Sequence, residues 1–334
     1  MTPVKNSNMA IYFDDKDYLE AFMNYIAERN IGFTCSGFTR SENLKAYAEQ
    51  NSIAVLLTDY SCFKENARNI NSEITFVLTE KPETDTPSNV YEINILQPVD
   101  EILKEILKTA AKTDISVAQN HLLTDGNVHC FFSPVGRSLK TTLAMAASQI
   151  LSDREKTIYL NLESDSGFSV LFGQDFSSDL SDIMFYLKDE AGDKASLLLQ
   201  SSICSCQGAS FIPPVVNPGD IFQISPDEIL KLIDLLQNNG FKNIVIDIGT
   251  LLPGFERIFS VSRKIYMPVR KDAMSSAKIA QLFSYLRTLE DLPVEEKIVW
   301  LEPPYFKDIP SLASNYRGTE VGSYIAGILY EQQK

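Results

Sequence analysis

Between Val128 and Ile150 the chain carries residue types that can hold a phosphate. An apolar run, Val128 to Phe132, leads into Ser133-Pro134-Val135-Gly136-Arg137-Ser138-Leu139, and Lys140-Thr141-Thr142 then opens an apolar-periodic helix. A tight loop in that position turns backbone N–H groups and the positive end of the helix towards an anion, and a lysine adds a point charge. The candidate phosphate-binding residues are therefore Gly136, Arg137, Ser138, Leu139, Lys140, Thr141 and Thr142. Lys140 is placed for terminal phosphates, Thr141 for a hydroxyl ligand to magnesium, and Thr142 for the inner phosphates. The pattern departs from G-x-x-x-x-G-K-S/T at Pro134 and Leu139, which stand at the two glycine positions. Leu139 narrows the site, because a Cβ restricts the backbone angles that a phosphate-cradling residue adopts.

Two further stretches bring carboxylates. The strand Thr157 to Glu163 runs into Ser164-Asp165-Ser166-Gly167, and consecutive strands tend to be neighbours, so its end is expected beside the loop. Asn161 and Glu163 are the catalytic candidates, and Asp165 either joins them or belongs to a plain strand-end loop. Asn243-Ile244-Val245-Ile246-Asp247 reads as a buried parallel strand that delivers Asp247 to a magnesium-bound water. Thr141 and Asp247 are the metal candidates. Gly249 leaves the backbone free to approach a phosphate.

The elements that must position these residues form two α/β units. Before the loop, the strands Ala10–Phe13, 32–38, 53–57, 74–79 and 90–96 alternate with the helices 16–30, 42–50 and 99–111, with Ser41 as the helix N-cap. That alternation predicts a parallel sheet flanked by helices over residues 1–112. Residues 113–127 lose their apolar periodicity and carry the turn signal Asp125-Gly126, which makes them a linker. The second unit spans residues 128–334. With 334 residues, two cores are the natural expectation.

Composition excludes several classes. Hydrophobic residues make up 44% and charged residues 22%, as in an ordinary globular protein, and no apolar run is long enough to cross a bilayer. The first residues lack the apolar core of a signal peptide, so a cytoplasmic protein is expected. The net charge of −14 comes without any Lys/Arg cluster, which argues against nucleic acid as a partner. Five scattered cysteines, Cys35, Cys62, Cys130, Cys204 and Cys206, fit neither a disulfide framework nor a metal site, and His121 and His129 read as structural.

Taken together, Lys140-Thr141, Asp247 and the proline-marked segment from Gly208 to Asp220 make the second unit resemble the ParA/MinD group of deviant Walker-A P-loop ATPases. The first unit resembles the receiver domain of response regulators, through Asp14-Asp15, Asp59, Thr79 and Pro98. The combination resembles the CpaE/TadZ pilus-assembly branch. The resemblance implies two doubly wound parallel-sheet domains, a receiver-like flavodoxin-type fold and then a P-loop NTPase fold, with ATP and Mg2+ as cofactors. It also implies a homodimer in which a signature lysine reaches the partner's phosphates; Val135 matches that position. Asn161 and Glu163 match aspartates that place the attacking water. Arg137, at a family glycine, either replaces the missing charge or faces solvent. In the receiver-like unit the expected lysine is Gln97, and spacing puts Thr58 rather than Asp59 at the acceptor position, so this unit is expected to dock or dimerise. The implied function is a nucleotide-dependent positioning factor for a pilus or secretion apparatus with slow or absent hydrolysis. A nucleotide-independent scaffold and an ATP-using enzyme on the same fold are the alternatives. The C-terminal stretch from Glu320 has no basic face, so it is expected to pack as a helix and to provide no direct membrane anchor, any polar or membrane recruitment coming through a partner.

Overall fold

A computed structural model of the chain describes residues 8–27, 31, 33–81, 87–111, 113, 126–188, 192–249, 254–289 and 294–331. The chain divides into two compact units, Met1–Asn120 with Ala191–Ser201, and His121–Glu190 with Ser202–Lys334. Of the expected linker, 113–127, only Thr113, Gly126 and Asn127 are among the described residues, and His121 is not.

The first unit contains β1 (Asn8–Tyr12), α1 (Lys16–Ala27), β2 (Thr34–Phe38), α2 (Ser41–Gln50), β3 (Ile53–Asp59), α3 (Tyr60–Cys62), β4 (Ser72–Thr79), β5 (Val90–Asn94) and α4 (Val99–Ala111). Its strands are all parallel, in the order β2-β1-β3-β4-β5, the flavodoxin-like winding. Parallel strands are covered on both faces, which is why Ile53 to Thr58 are buried without alternation. The helices bury single stripes, Leu19, Phe22 and Ile26 in α1, and Ile102, Leu103, Ile106, Leu107, Ala110 and Ala111 in α4. The helix end expected at 28–30 lies outside the described residues.

Two local expectations are corrected here. Arg40, with extended backbone, is the N-cap of α2, because Leu44 N–H already bonds to Arg40 O at 3.3 Å; Ser41 is inside the helix and its hydroxyl turns to Glu42. Strand β5 stops at Asn94, whose side chain accepts from Leu96 N–H at 2.9 Å and bends the chain before the expected end. At the carboxyl edge of this sheet Thr58 is completely buried, while Asp59 caps α3 by accepting from Cys62 N–H at 2.8 Å and Ser61 Oγ at 2.7 Å.

The second unit contains β6 (Asn127–Phe132), α5 (Lys140–Leu151), β7 (Thr157–Asn161), α6 (Phe168–Phe172), α7 (Leu180–Lys188), β8 (Cys204–Cys206) and β9 (Ala209–Ile212); between α7 and β8 the chain forms α8 (Gly192–Ser202), which up to Ser201 belongs to the first unit. It continues through α9 (Pro226–Asn238), β10 (Asn243–Ile248), α10 (Glu256–Val261), β11 (Lys264–Pro268), α11 (Ala273–Leu286), β12 (Ile298–Leu301) and α12 (Glu320–Glu331). The seven strands run β12-β11-β6-β10-β7-β9-β8, parallel except for the β8–β9 hairpin. The expectation that β7 lies next to β6 is therefore wrong: β10 separates them. The crossover from β6 skips a strand in one direction and the crossover from β10 skips β6 in the other. The carboxyl ends of β6 and β10 thus form the switch point at which open α/β sheets bind ligands.

Helix α5 is buried on every side from Leu143 to Leu151, because it lies between the sheet and α12. Helix α12 turns Val321, Gly322, Ile325 and Leu329 inward, which bears out a packed C-terminal helix. At Gly322 a Cβ would stand 2.0 Å from Tyr316 O, so only glycine lets the helix start this close to the preceding loop. Gln149 of α5 holds that loop, donating to Ser314 O at 3.0 Å and accepting from Tyr316 N–H at 2.9 Å. Among the described residues no helix is long and apolar enough to cross a membrane.

Candidate phosphate site

The register of the sheet builds the site. Asp247 of β10 pairs with Phe131 of β6 on one side and Asn161 of β7 on the other, so these three positions form one row near the carboxyl ends. Two residues further back on the same face, Val245 pairs with His129 and Tyr159. Side chains two apart on a strand share a face, so Tyr159, Asn161 and Asp247 project together on the face covered by α5.

The loop from Ser133 to Leu139 is tied down at its base, where Ser133 Oγ donates to Pro268 O at 2.6 Å and accepts from Val135 N–H at 3.1 Å. Arg137 and Leu139 adopt left-handed backbone angles, φ 56° and 65°, which glycine adopts freely. For a residue with a Cβ this costs about 1–2 kcal/mol. Leu139, at the N-cap of α5, packs its side chain against the core around that helix, which offsets the strain. Leu139 thus takes the left-handed angles despite its Cβ. Gly136 and Arg137 are exposed, and Val135 is buried. Ser138 is buried, and its Oγ has no hydrogen-bond partner among the described residues.

Lys140 begins α5 and reaches two carboxylates. Its Nζ donates to Glu163 Oε1 at 2.8 Å and to Asp247 Oδ1 in a still shorter contact. Thr141 Oγ1 lies 3.4 Å from the same Glu163 oxygen. Asp247 is fully buried, and its other oxygen accepts from the Tyr159 hydroxyl at 3.0 Å. Asn161 Nδ2 donates to Tyr159 Oη at 3.0 Å, and Asn161 Oδ1 accepts from Glu163 N–H at 2.8 Å. Lys140, Thr141, Asn161, Glu163 and Asp247 are therefore in one place. Thr142 is partly buried beside them, and Asp165 is apart, exposed and accepting from Ser164 Oγ at 2.9 Å.

Two carboxylates around one ammonium leave an excess of negative charge. Burial opposes the ammonium of Lys140, yet Asp247 and Glu163 outweigh it and hold the amine above its ordinary pKa. For Asp247 burial is the largest effect, and with Glu163 beside it the carboxyl is held above the usual carboxylate range despite Lys140. Burial, then Asp247, pushes the Tyr159 phenol far up, so it stays a neutral donor.

Tyr159 is missing from the sequence reading. Its signal is present: a tyrosine two residues before Asn161 in a strand without polar relief must find a partner for its hydroxyl. Gly249 makes room for a neighbouring side chain as well. A Cβ there would stand 1.8 Å from Glu163 Cγ, so the space that glycine leaves is filled by Glu163.

The arrangement fits a magnesium nucleotide. It offers a loop with glycine-like angles, a buried Ser138 hydroxyl without a partner among the described residues, the N-terminus of a twelve-residue helix, and Lys140. Among the described residues no group of three acidic, His or Cys side chains could hold a metal alone. Magnesium in such sites takes only one or two protein oxygens and keeps phosphate and water for the rest, a demand that the oxygens of Thr141 and Asp247 would meet.

Among solved structures, the chain is similar to a ParA family ATPase from Chlorobium tepidum TLS, at 17% identity over 52% of this chain and 72% of that one, with a TM-score of 0.44. It is also similar to a putative plasmid partition protein from Borrelia burgdorferi B31 bound to AMPPNP, at 12% identity over 63% and 99%, TM-score 0.47. A third is the cell division ATPase MinD of Pyrococcus furiosus, at 18% identity over 56% and 77%, TM-score 0.39. No family model matches the chain, and no curated protein matches it.

Proposed function

We propose that the second unit binds ATP with magnesium at the loop before α5, and that the protein is a positioning or assembly factor of a pilus or secretion apparatus. It works as a homodimer whose pairing depends on bound nucleotide. The observation that carries the binding reading is Lys140, held at the mouth of a glycine-angled loop beside Asp247 and Thr141. Lys140 and the N–H groups of the loop would bind and orient the phosphates, and Thr141 and Asp247 would hold the metal, which supplies charge neutralisation between phosphate oxygens.

Turnover is slow or absent. Asn161 has no basic oxygen to spare, since its amide is spent between Tyr159 and the Glu163 backbone. Of the two carboxylates on Lys140, Glu163 is the one with some exposure, and it is bound to Lys140 rather than free to accept a proton from water. Residues 1–112 serve as a docking or dimerising module, which agrees with Asp59 being spent on capping α3.

Sedimentation of the purified protein with and without ATP and magnesium, alongside phosphate release, tests the reading. A nucleotide-dependent shift from monomer to dimer with turnover well below about 1 s⁻¹ is expected. Faster turnover contradicts the slow-hydrolysis reading, and an unchanged monomer contradicts the switch. The scaffold reading draws on one observation, that Lys140 already has two anionic partners; it requires that assembly be indifferent to Lys140→Ala.

A further inference from the structure

We infer that Glu163 is an internal latch on the phosphate site: its carboxylate holds Lys140 in the place of a phosphate oxygen, and a nucleotide binds only by displacing it. The inference rests on the nucleotide-binding reading and adds how the site is regulated.

Four observations converge on it. First, a single oxygen, Glu163 Oε1, faces both Lys140 Nζ at 2.8 Å and Thr141 Oγ1 at 3.4 Å. Those are the two side chains that a nucleotide and its metal would use, so carboxylate and phosphate compete for the same donors. Second, the fold makes room for this side-chain position. A Cβ at residue 249 would lie 1.8 Å from Glu163 Cγ, 2.6 Å from Cδ and 2.7 Å from Cβ. The inward position therefore depends on glycine at 249. Third, the base of the latch is fixed while its arm has somewhere to go. Glu163 N–H is anchored on Asn161 Oδ1 at 2.8 Å, yet the Glu163 side chain keeps 27% of its surface in solvent. Asp247 differs: it is fully buried and held from behind by Tyr159, so it stays when Glu163 leaves.

The fourth observation is the charge count. One ammonium already faces two carboxylates, and a triphosphate entering beside both of them meets net repulsion. Rotation of Glu163 towards solvent removes one negative charge and frees Lys140 in the same motion. The side-chain length is also matched to the task, since an aspartate, one methylene shorter, would fall short of the ammonium.

The test is a calorimetric titration of the full chain with ATP and magnesium, comparing wild type, Glu163→Gln and Glu163→Asp. Glu163→Gln keeps the length and removes the charge, whereas Glu163→Asp keeps the charge and withdraws it from Lys140. The latch requires both variants to bind more tightly than wild type, by roughly tenfold, the worth of one charge-assisted hydrogen bond. Thermal unfolding without nucleotide shows which variants are folded, and either folded variant alone decides the matter. Equal or weaker binding by a folded variant, with wild type binding normally, overturns the latch and leaves the nucleotide reading intact. No binding by wild type or by either variant at millimolar ATP overturns both.

Discussion

Tyr159 donates its phenolic hydrogen to Asp247 Oδ2 across 3.0 Å, from the neighbouring strand, and both side chains are completely out of solvent. The same oxygen of Tyr159 accepts from Asn161 Nδ2 at 3.0 Å, so one hydroxyl serves two buried groups. Tyr159→Phe keeps the ring, which stacks on Phe168, and removes only that hydroxyl. A buried acceptor and a buried donor then lose their partner, a change expected to cost about 1–3 kcal/mol in urea unfolding. An unchanged midpoint would show that the network bears no load.

Gly249 and Glu163 occupy one volume, and their substitutions are expected to couple. Gly249→Ala places a Cβ inside the Glu163 side chain and should destabilise by about 1–3 kcal/mol, as overpacking does. In a chain that also carries Glu163→Ala the added methyl has room, so the alanine at 249 should cost much less. A double-mutant cycle measures the difference. Additive effects would contradict the shared volume.

His129 gives the fold a pH dependence that is independent of the phosphate site. The ring is buried on β6, with Nε2 3.3 Å from Asn243 Oδ1 and Nδ1 3.4 Å from the Tyr266 hydroxyl. Burial pulls its pKa down from 6.5 to about 4, against the Asn243 hydrogen bond and with help from Arg263. The folded state thus prefers the neutral ring. Its contribution is fully present above 6.5 and is lost as the pH falls towards 4, because the unfolded chain takes up the proton first. The whole effect is at most about 3 kcal/mol. Urea unfolding of wild type and His129→Phe between pH 7.5 and 5 should show a steeper decline for wild type. Parallel declines would contradict the assignment.

Much of this fold is legible in the sequence because parallel strands are buried on both faces and read as apolar runs. Val128 to Phe132 and Ile244 to Ile246 announce themselves in that way, whereas the capping box of Ser225 and Glu228, with Ser225 N–H bonding to Glu228 Oε2 at 2.7 Å, is a signal that the sequence reading leaves unused. Strand order is a different matter. It is decided by which crossovers pack together, and nothing in Thr157–Asn161 says that β10 will lie between it and β6. The sequence places Asn161 and Glu163 beside the loop by adjacency of β6 and β7, yet Glu163 reaches Lys140 through the register of β7 on β10. Leu139 shows a second limit. Its left-handed angle is a poor local choice, made possible by packing around α5 that involves residues far along the chain. Gly249 draws its role from the Glu163 side chain on another element, which a linear reading does not reach.

The central claim, that the loop before α5 is a nucleotide site built on Lys140, is tested most directly by calorimetric titration of wild type and Lys140→Gln with ATP and magnesium. The glutamine removes the charge that a phosphate needs and shortens the side chain by one atom, while keeping an uncharged polar group at the start of α5. Saturable binding of one ATP per chain by wild type, weakened at least tenfold in a folded Lys140→Gln, is the expected result. No binding by wild type at millimolar ATP, or equal binding by the variant, would contradict it.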